Sequence, residues 1–224
     1  MLNYLKHSAL LFLYFIVYQF LLGFLMVGAF VKELPDIPPV LIENIVWVMG
    51  IIGIVLLTVL SIVLWRVVYP RKTIDYRYES LGFHKICWPI LLYVAFVIFQ
   101  FLVPIPESTN QQLVVAWISD YPILSFFGVV LFAPILEELI FRGFLATYFF
   151  PKMLDGTAVG FYLGITATLF SMIHGPATIP QFLLYFTMGV TLGWLYLIKR
   201  DIRYSIALHI ANNLLSFILV LLST

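Results

Sequence analysis

Apolar residues run in long blocks along this chain, separated by short polar stretches. A bilayer core about 30 Å thick needs about 20 apolar residues in a helix. Seven blocks meet or approach that: 8–32, 40–68, 86–105, 122–150, 158–174, 180–198 and 204–222. The second and fourth exceed it, so they tilt, extend past the interface or bend, with Pro134 the obvious bend point in the fourth. Ala9 to Val31 is longer than a signal-peptide core and lacks a convincing small-residue cleavage site, so it reads as a retained helix. The pattern predicts an all-α, polytopic transmembrane bundle of about seven spans, with no repeat and no separate soluble domain. Residues 1–121 are expected to supply N-terminal helices and loops, and 122–224 a bundle that carries the chemistry.

Composition agrees with the blocks. Hydrophobic residues make up 63% and charged residues 10% of the chain, against about 25% charged in soluble domains. A net charge of +1 suggests no nucleic-acid partner. The single cysteine, Cys87, excludes an internal disulfide and reads as a small apolar residue at a helix start.

Basic residues set the orientation. Lys6, Arg66, Arg71, Lys72, Arg77, Lys85, Lys152, Lys199, Arg200 and Arg203 fall on one side and only Lys32 on the other. The 106–121 connection holds Glu107 and Asp120 but no base. This asymmetry predicts a cytoplasmic N-terminus and an external C-terminus, with Trp65, Trp88 and Trp194 as interfacial anchors. The basic run at 66–85 is a topology signal and a contact for anionic lipid.

Against this background Glu137 and Glu138 stand out, adjacent in an apolar stretch with Arg142 four residues beyond the second. A charge at mid-bilayer depth costs roughly 2.5–3.5 kcal/mol on insertion scales, which makes a functional site the default reading. Glu138 and Arg142 share a helix face, with the acid on the favourable N-terminal side. Glu137 is rotated by about 100° from Glu138 and is expected to point elsewhere, into a cavity. A buried ion pair that fixes packing explains Glu138 and Arg142, and leaves Glu137 to be accounted for.

Two later helices offer partners. Phe170 and His174 are four apart near the end of the fifth helix, and His209 and Asn213 are four apart in the seventh. His7 and His84 fall at interfacial or loop positions, where a solvated ring is the preferred reading. A carboxylate, imidazoles and a carboxamide form a hydrolytic kit. Glu137 is poised to take a proton from water, His174 to hold or help activate that water, and His209 with Asn213 to donate to the oxygen of a tetrahedral intermediate. No serine, cysteine or lysine is as well surrounded; Ser171 lies near His174 without a separate claim.

Glu137 to Arg142 matches an EExxxR motif, Phe170 to His174 FxxxH, and His209 to Asn213 HxxxN. In that order and spacing they resemble the CPBP (CAAX-processing and bacteriocin-processing) intramembrane proteases, also called the Abi family, which includes type II CAAX prenyl endopeptidases. The resemblance covers roughly residues 122–218 and departs at no motif position. It implies a membrane protease that cleaves peptide bonds near the bilayer, with Glu137 as the catalytic glutamate and His174 as its water-activating partner. His209 and Asn213 would be the oxyanion pair, and Glu138, Arg142 and Phe170 supporting residues. The family has been described both as metalloprotease and as glutamic protease. Glu137, His174 and His209 could in principle bind zinc with an open fourth position, but there is no HExxH and a metal-free mechanism is favoured. The expected partners are a membrane-associated peptide or protein substrate and the lipid bilayer, and the compact chain suggests a bacterial plasma membrane.

Two other readings stay open: a transporter or proton relay, which also uses intramembrane carboxylates and histidines, and a non-proteolytic scaffold or bacteriocin-immunity protein of the same fold. Gly189 and Gly193 form a Gly-xxx-Gly pair that favours close helix packing over dimerisation. Depth raises a difficulty. Straight spans place His209 roughly 9 Å from the cytoplasmic boundary, Glu137 near 15–20 Å and His174 near 24 Å, so the groups meet only with tilt or a buried Gly175-Pro176 turn.

Overall fold

The computed structural model describes residues 2–31, 37–69, 75–76, 85–153 and 155–223. Of the sequence expectations, Lys32, Arg71, Lys72, Arg77 and His84 lie outside the described residues.

Among the described residues every regular element is a helix, apart from a two-residue parallel pairing of β1 (Asp75–Tyr76) with β2 (Lys152–Met153). In chain order the helices are α1 (Leu2–Leu25), α2 (Val27–Val31), α3 (Pro39–Val68), α4 (Cys87–Leu102) and α5 (Thr109–Asp120). They continue with α6 (Pro122–Phe149), α7 (Gly156–Ile173), α8 (Ile179–Lys199) and α9 (Ile202–Ser223). Six of the described helices are long and apolar enough to cross a bilayer: α1 from Asn3, α3, α6, α7, α8 and α9. The protein is an integral membrane protein. The third apolar block, 86–105, forms α4, whose 16 residues reach only about 24 Å at 1.5 Å per residue. Helix α5 is not among the seven apolar blocks. It carries Asn110, Gln111 and Gln112 beside Val114 and Val115, a mixed composition that hydropathy alone passes over.

Local sequence explains the ends that matter for the site. Asp155 caps α7, its Oδ1 accepting from the Ala158 amide at 2.8 Å. The helix stops at His174, after which Gly175 takes φ +59°, the left-handed conformation that glycine adopts without penalty. Thr178 and Gln181 then form a capping box at the start of α8. Helix α6 is irregular: Phe126–Phe132 and Leu139–Phe144 are π-helical and flank the α-helical turn that holds both glutamates. Pro134 lies two residues after the end of the first π segment, where a residue without an N–H leaves a ladder position unfilled. Single π turns inside α-helices are frequent at functional sites.

The chain packs as two compact units interleaved in sequence. One comprises Met1–Arg66, Gln112–Leu136 and Ile210–Thr224, the other Val67–Gln111 and Glu137–His209. In the first, Ile118, Val130 and Phe217 form a core, with Phe126 edge-on to Phe217 at 5.7 Å. In the second, α8 lies against α4 and α7 around Phe96, Phe170, Leu184, Met188 and Leu192. The Gly-xxx-Gly pair serves this contact. A Cβ at Gly189 would stand 2.8 Å from the Cα of Ala167 on α7, and one at Gly193 would stand 3.1 Å from Leu163. The small residues therefore let α7 and α8 approach within the chain.

Candidate active site

The second compact unit holds the charged cluster. Arg142 and Glu138 are both fully buried, one turn apart on α6, with Nη1 and Oε1 2.9 Å apart. That contact is an ion pair without the alignment of a hydrogen bond. Arg142 is anchored further by Nη2 donating to the Gly189 carbonyl at 3.1 Å and by its guanidinium lying over the Phe170 ring at 4.4 Å. Gly189 thus does two jobs: its missing Cβ admits α7, and its carbonyl receives the arginine.

His209, on α9 and 3% exposed, joins the two acids. Its Nδ1 lies 3.1 Å from Glu138 Oε1, and its Nε2 lies 3.9 Å from Glu137 Oε2. This bears on the facing of Glu137 and on the depth difficulty. Glu137 is not directed away from the surroundings of Glu138, because one imidazole offers its two nitrogens to both acids. Straight-span depths also separated His209 from Glu137 by several ångströms, and the structure brings them together. Rods normal to the membrane ignore tilt, side-chain reach and the altered rise of the π segments beside Glu137. Ser205, one turn before His209, lies beside Glu138, while its hydroxyl donates to the Ile202 carbonyl at 3.0 Å.

Phe170 ties His174 to this group. Its ring lies 4.6 Å from His174 and 5.4 Å from His209, in addition to its contact with Arg142. One phenylalanine therefore touches all three motifs. His174 Nδ1 contacts the Phe170 carbonyl at 2.7 Å. A carbonyl only accepts, so Nδ1 carries the hydrogen, and in the neutral ring Nε2 presents its lone pair. Ser171 is occupied structurally, donating to the Phe182 carbonyl at 2.8 Å. Asn213 belongs to the other compact unit, where Nδ2 donates to the Val129 carbonyl at 2.9 Å and Oδ1 accepts from Asn212 at 3.3 Å.

A comparison with family models finds a match over part of the chain. Residues 119–215 fit the description "Type II CAAX prenyl endopeptidase Rce1-like". That stretch is similar to the Rce1-like family. No curated protein and no solved structure matches the chain. The Rce1-like stretch contains Glu137, Glu138, Arg142, Phe170, His174, His209 and Asn213, so it covers all three motifs and agrees with the family they resemble.

Among the described residues no group of three His, Cys, Asp or Glu side chains is placed to hold a metal ion.

The sequence reading missed three residues around His174. Tyr185 stacks on the imidazole at 4.4 Å with 24° between the planes. Its hydroxyl lies 3.4 Å from Ser108, which also accepts from the Gln111 amide at 3.2 Å. Gln181 Oε1 accepts from the Ala177 and Thr178 amides at 2.7 and 3.1 Å, while Nε2 donates to the Pro106 carbonyl at 2.7 Å. A signal for Gln181 was present in the Thr178-x-x-Gln181 spacing. None was present for Tyr185 or Ser108, whose contact spans 77 residues.

Proposed function

We propose that this protein is an intramembrane endopeptidase that hydrolyses a peptide bond in a membrane-associated peptide or protein, with water activated by Glu137 and no metal. The observation that carries the reading is the buried array Arg142–Glu138–His209–Glu137, set in transmembrane-length helices of an Rce1-like stretch. A packing device needs the Glu138–Arg142 pair, but has no need of a second buried acid facing a histidine.

Water adds to the scissile carbonyl carbon while its proton passes to the Glu137 carboxylate, forming the C–O bond and an oxyanion. Collapse of this intermediate breaks the C–N bond, and the proton on Glu137 goes to the departing amine. The 3.9 Å between His209 Nε2 and Glu137 Oε2 exceeds a direct hydrogen bond and is a separation one water spans. His174, with Nδ1 committed to Phe170, turns Nε2 to the water as an acceptor. The resemblance gives the oxyanion to His209 and Asn213. Since Nδ1 of His209 donates to Glu138, donation from Nε2 requires the imidazolium.

The family description makes a prenylated CAAX-type substrate the first candidate. The compact chain and short loops favour a bacterial plasma membrane, and the asymmetry of basic residues a cytoplasmic N-terminus. The test of the protease reading is a comparison of membrane peptides from cells carrying wild type or Glu137→Gln. Fragments present only with wild type, and their intact precursors accumulating in the variant, support hydrolysis. Identical peptide sets contradict it.

A further inference from the structure

Tyr185 lies outside all three motifs, yet it makes the flattest contact His174 has. The two rings stack at 4.4 Å with an interplanar angle of 24°, whereas Phe170 meets the same imidazole at 45°. At the far end of the tyrosine, the hydroxyl reaches the buried Ser108, which also receives the first-turn amide of Gln111. Ring and hydroxyl are therefore held at opposite ends.

His174 needs such a support because of where it sits. It is the C-cap residue directly after α7, followed by Gly175 in the left-handed region, so no further helical turn covers its ring. The contact from Nδ1 to the Phe170 carbonyl fixes one atom of the imidazole and leaves rotation about that contact open. A parallel aromatic face removes that rotation. Gln181, one turn before Tyr185 on α8, meanwhile ties the Ala177 and Thr178 amides to the Pro106 carbonyl. The turn that follows His174 and the segment at 106–108 are thus both fastened to α8.

We propose that Tyr185 is a positioning residue for His174: its ring sets the imidazole plane, and its bond to Ser108 holds that ring in place. The consequence for catalysis rests on the proposed protease reading; the geometric claim does not. Misplacement of a catalytic group by about 1 Å can cost on the order of 100-fold in rate, so loss of the stack is expected to lower kcat roughly 10- to 100-fold while KM changes little.

The test uses full-length protein in lipid nanodiscs, with nitrogen-15 histidine labelling and the His174 signals assigned by their loss in His174→Gln. Wild type is expected to show ring-current-shifted imidazole protons and the Nδ1–H tautomer. Tyr185→Leu is expected to lose the ring-current shift and to mix the tautomers, while Tyr185→Phe, which keeps the stacking face but loses the hydroxyl contact to Ser108, recovers both only in part. In parallel, kcat and KM are measured with a farnesylated, internally quenched CAAX peptide, with thermal unfolding to show that each variant is folded. Unchanged His174 signals in folded Tyr185→Leu overturn the proposal. Altered signals with unchanged kcat overturn its catalytic consequence. If wild type cleaves nothing, the protease reading loses its support and the magnetic resonance comparison still decides the role of Tyr185. Should Tyr185→Leu fail to fold, Tyr185→Met supplies the same comparison.

Discussion

His209 Nδ1 stands 3.1 Å from Glu138 Oε1, and that contact determines what the rest of the ring can do. Glu138 is held as a carboxylate by Arg142 at 2.9 Å, so it accepts, and the Nδ1 hydrogen is committed to it. Only Nε2 is left to face Glu137. Glu138 is then more than a counter-ion for the arginine. It selects which edge of the imidazole meets the reacting groups.

Removing the arginine should be the most damaging single change in the cluster. Arg142→Met leaves the Glu138 charge in a site of 0% exposure. Breaking one side of a buried pair costs about 3–5 kcal/mol, so a large fall in unfolding free energy in detergent is expected. The double variant Glu138→Gln/Arg142→Met should recover part of that loss, because no uncompensated charge remains.

Gly189→Ala tests the helix contact. The added methyl would meet the Ala167 backbone at 2.8 Å, and backbone cannot swing aside as a flexible side chain can. Overpacking of this kind costs about 1–3 kcal/mol. It should also displace the carbonyl that receives Arg142, so a fall in unfolding temperature accompanied by reduced cleavage is expected. Gly160→Ala, where a Cβ meets nothing within 4 Å, serves as the control and should change neither.

Gln181→Leu removes three hydrogen bonds around the turn after His174. Each leaves a backbone group to find another partner, at about 1 kcal/mol apiece. Hydrogen exchange should show faster exchange at the Ala177 and Thr178 amides, with the α9 amides unchanged.

Much of this was legible in the chain because its signals are local. Hydropathy blocks found α3, α6, α7, α8 and α9 to within a few residues, since bilayer thickness dictates their length. The four-residue spacing of Glu138 and Arg142 led directly to their ion pair. Other features depended on tertiary structure. The π segments beside the glutamates have no sequence marker, so neither the depth nor the facing of Glu137 followed from regular helix geometry. Helix α5 lacks a long apolar run, and Tyr185 reads as one more aromatic residue in an apolar helix. That Phe170 touches Arg142, His174 and His209 could not be read from spacings within separate helices.

The proposed metal-free mechanism makes a separate prediction. Protein purified and assayed in the presence of a strong chelator should retain its cleavage rate, with zinc far below one equivalent by elemental analysis. Loss of activity on chelation, recovered by one equivalent of zinc, would place a metal in the site.

The most direct measurement is turnover of the farnesylated CAAX peptide by purified wild type and Glu137→Gln in nanodiscs, with both proteins shown to be folded. The amide keeps the size of the carboxyl group but cannot take a proton from water, so the rate should fall by at least about 100-fold. A Glu137→Gln protein that cleaves at close to the wild-type rate would contradict the assignment of Glu137 as the group that activates water.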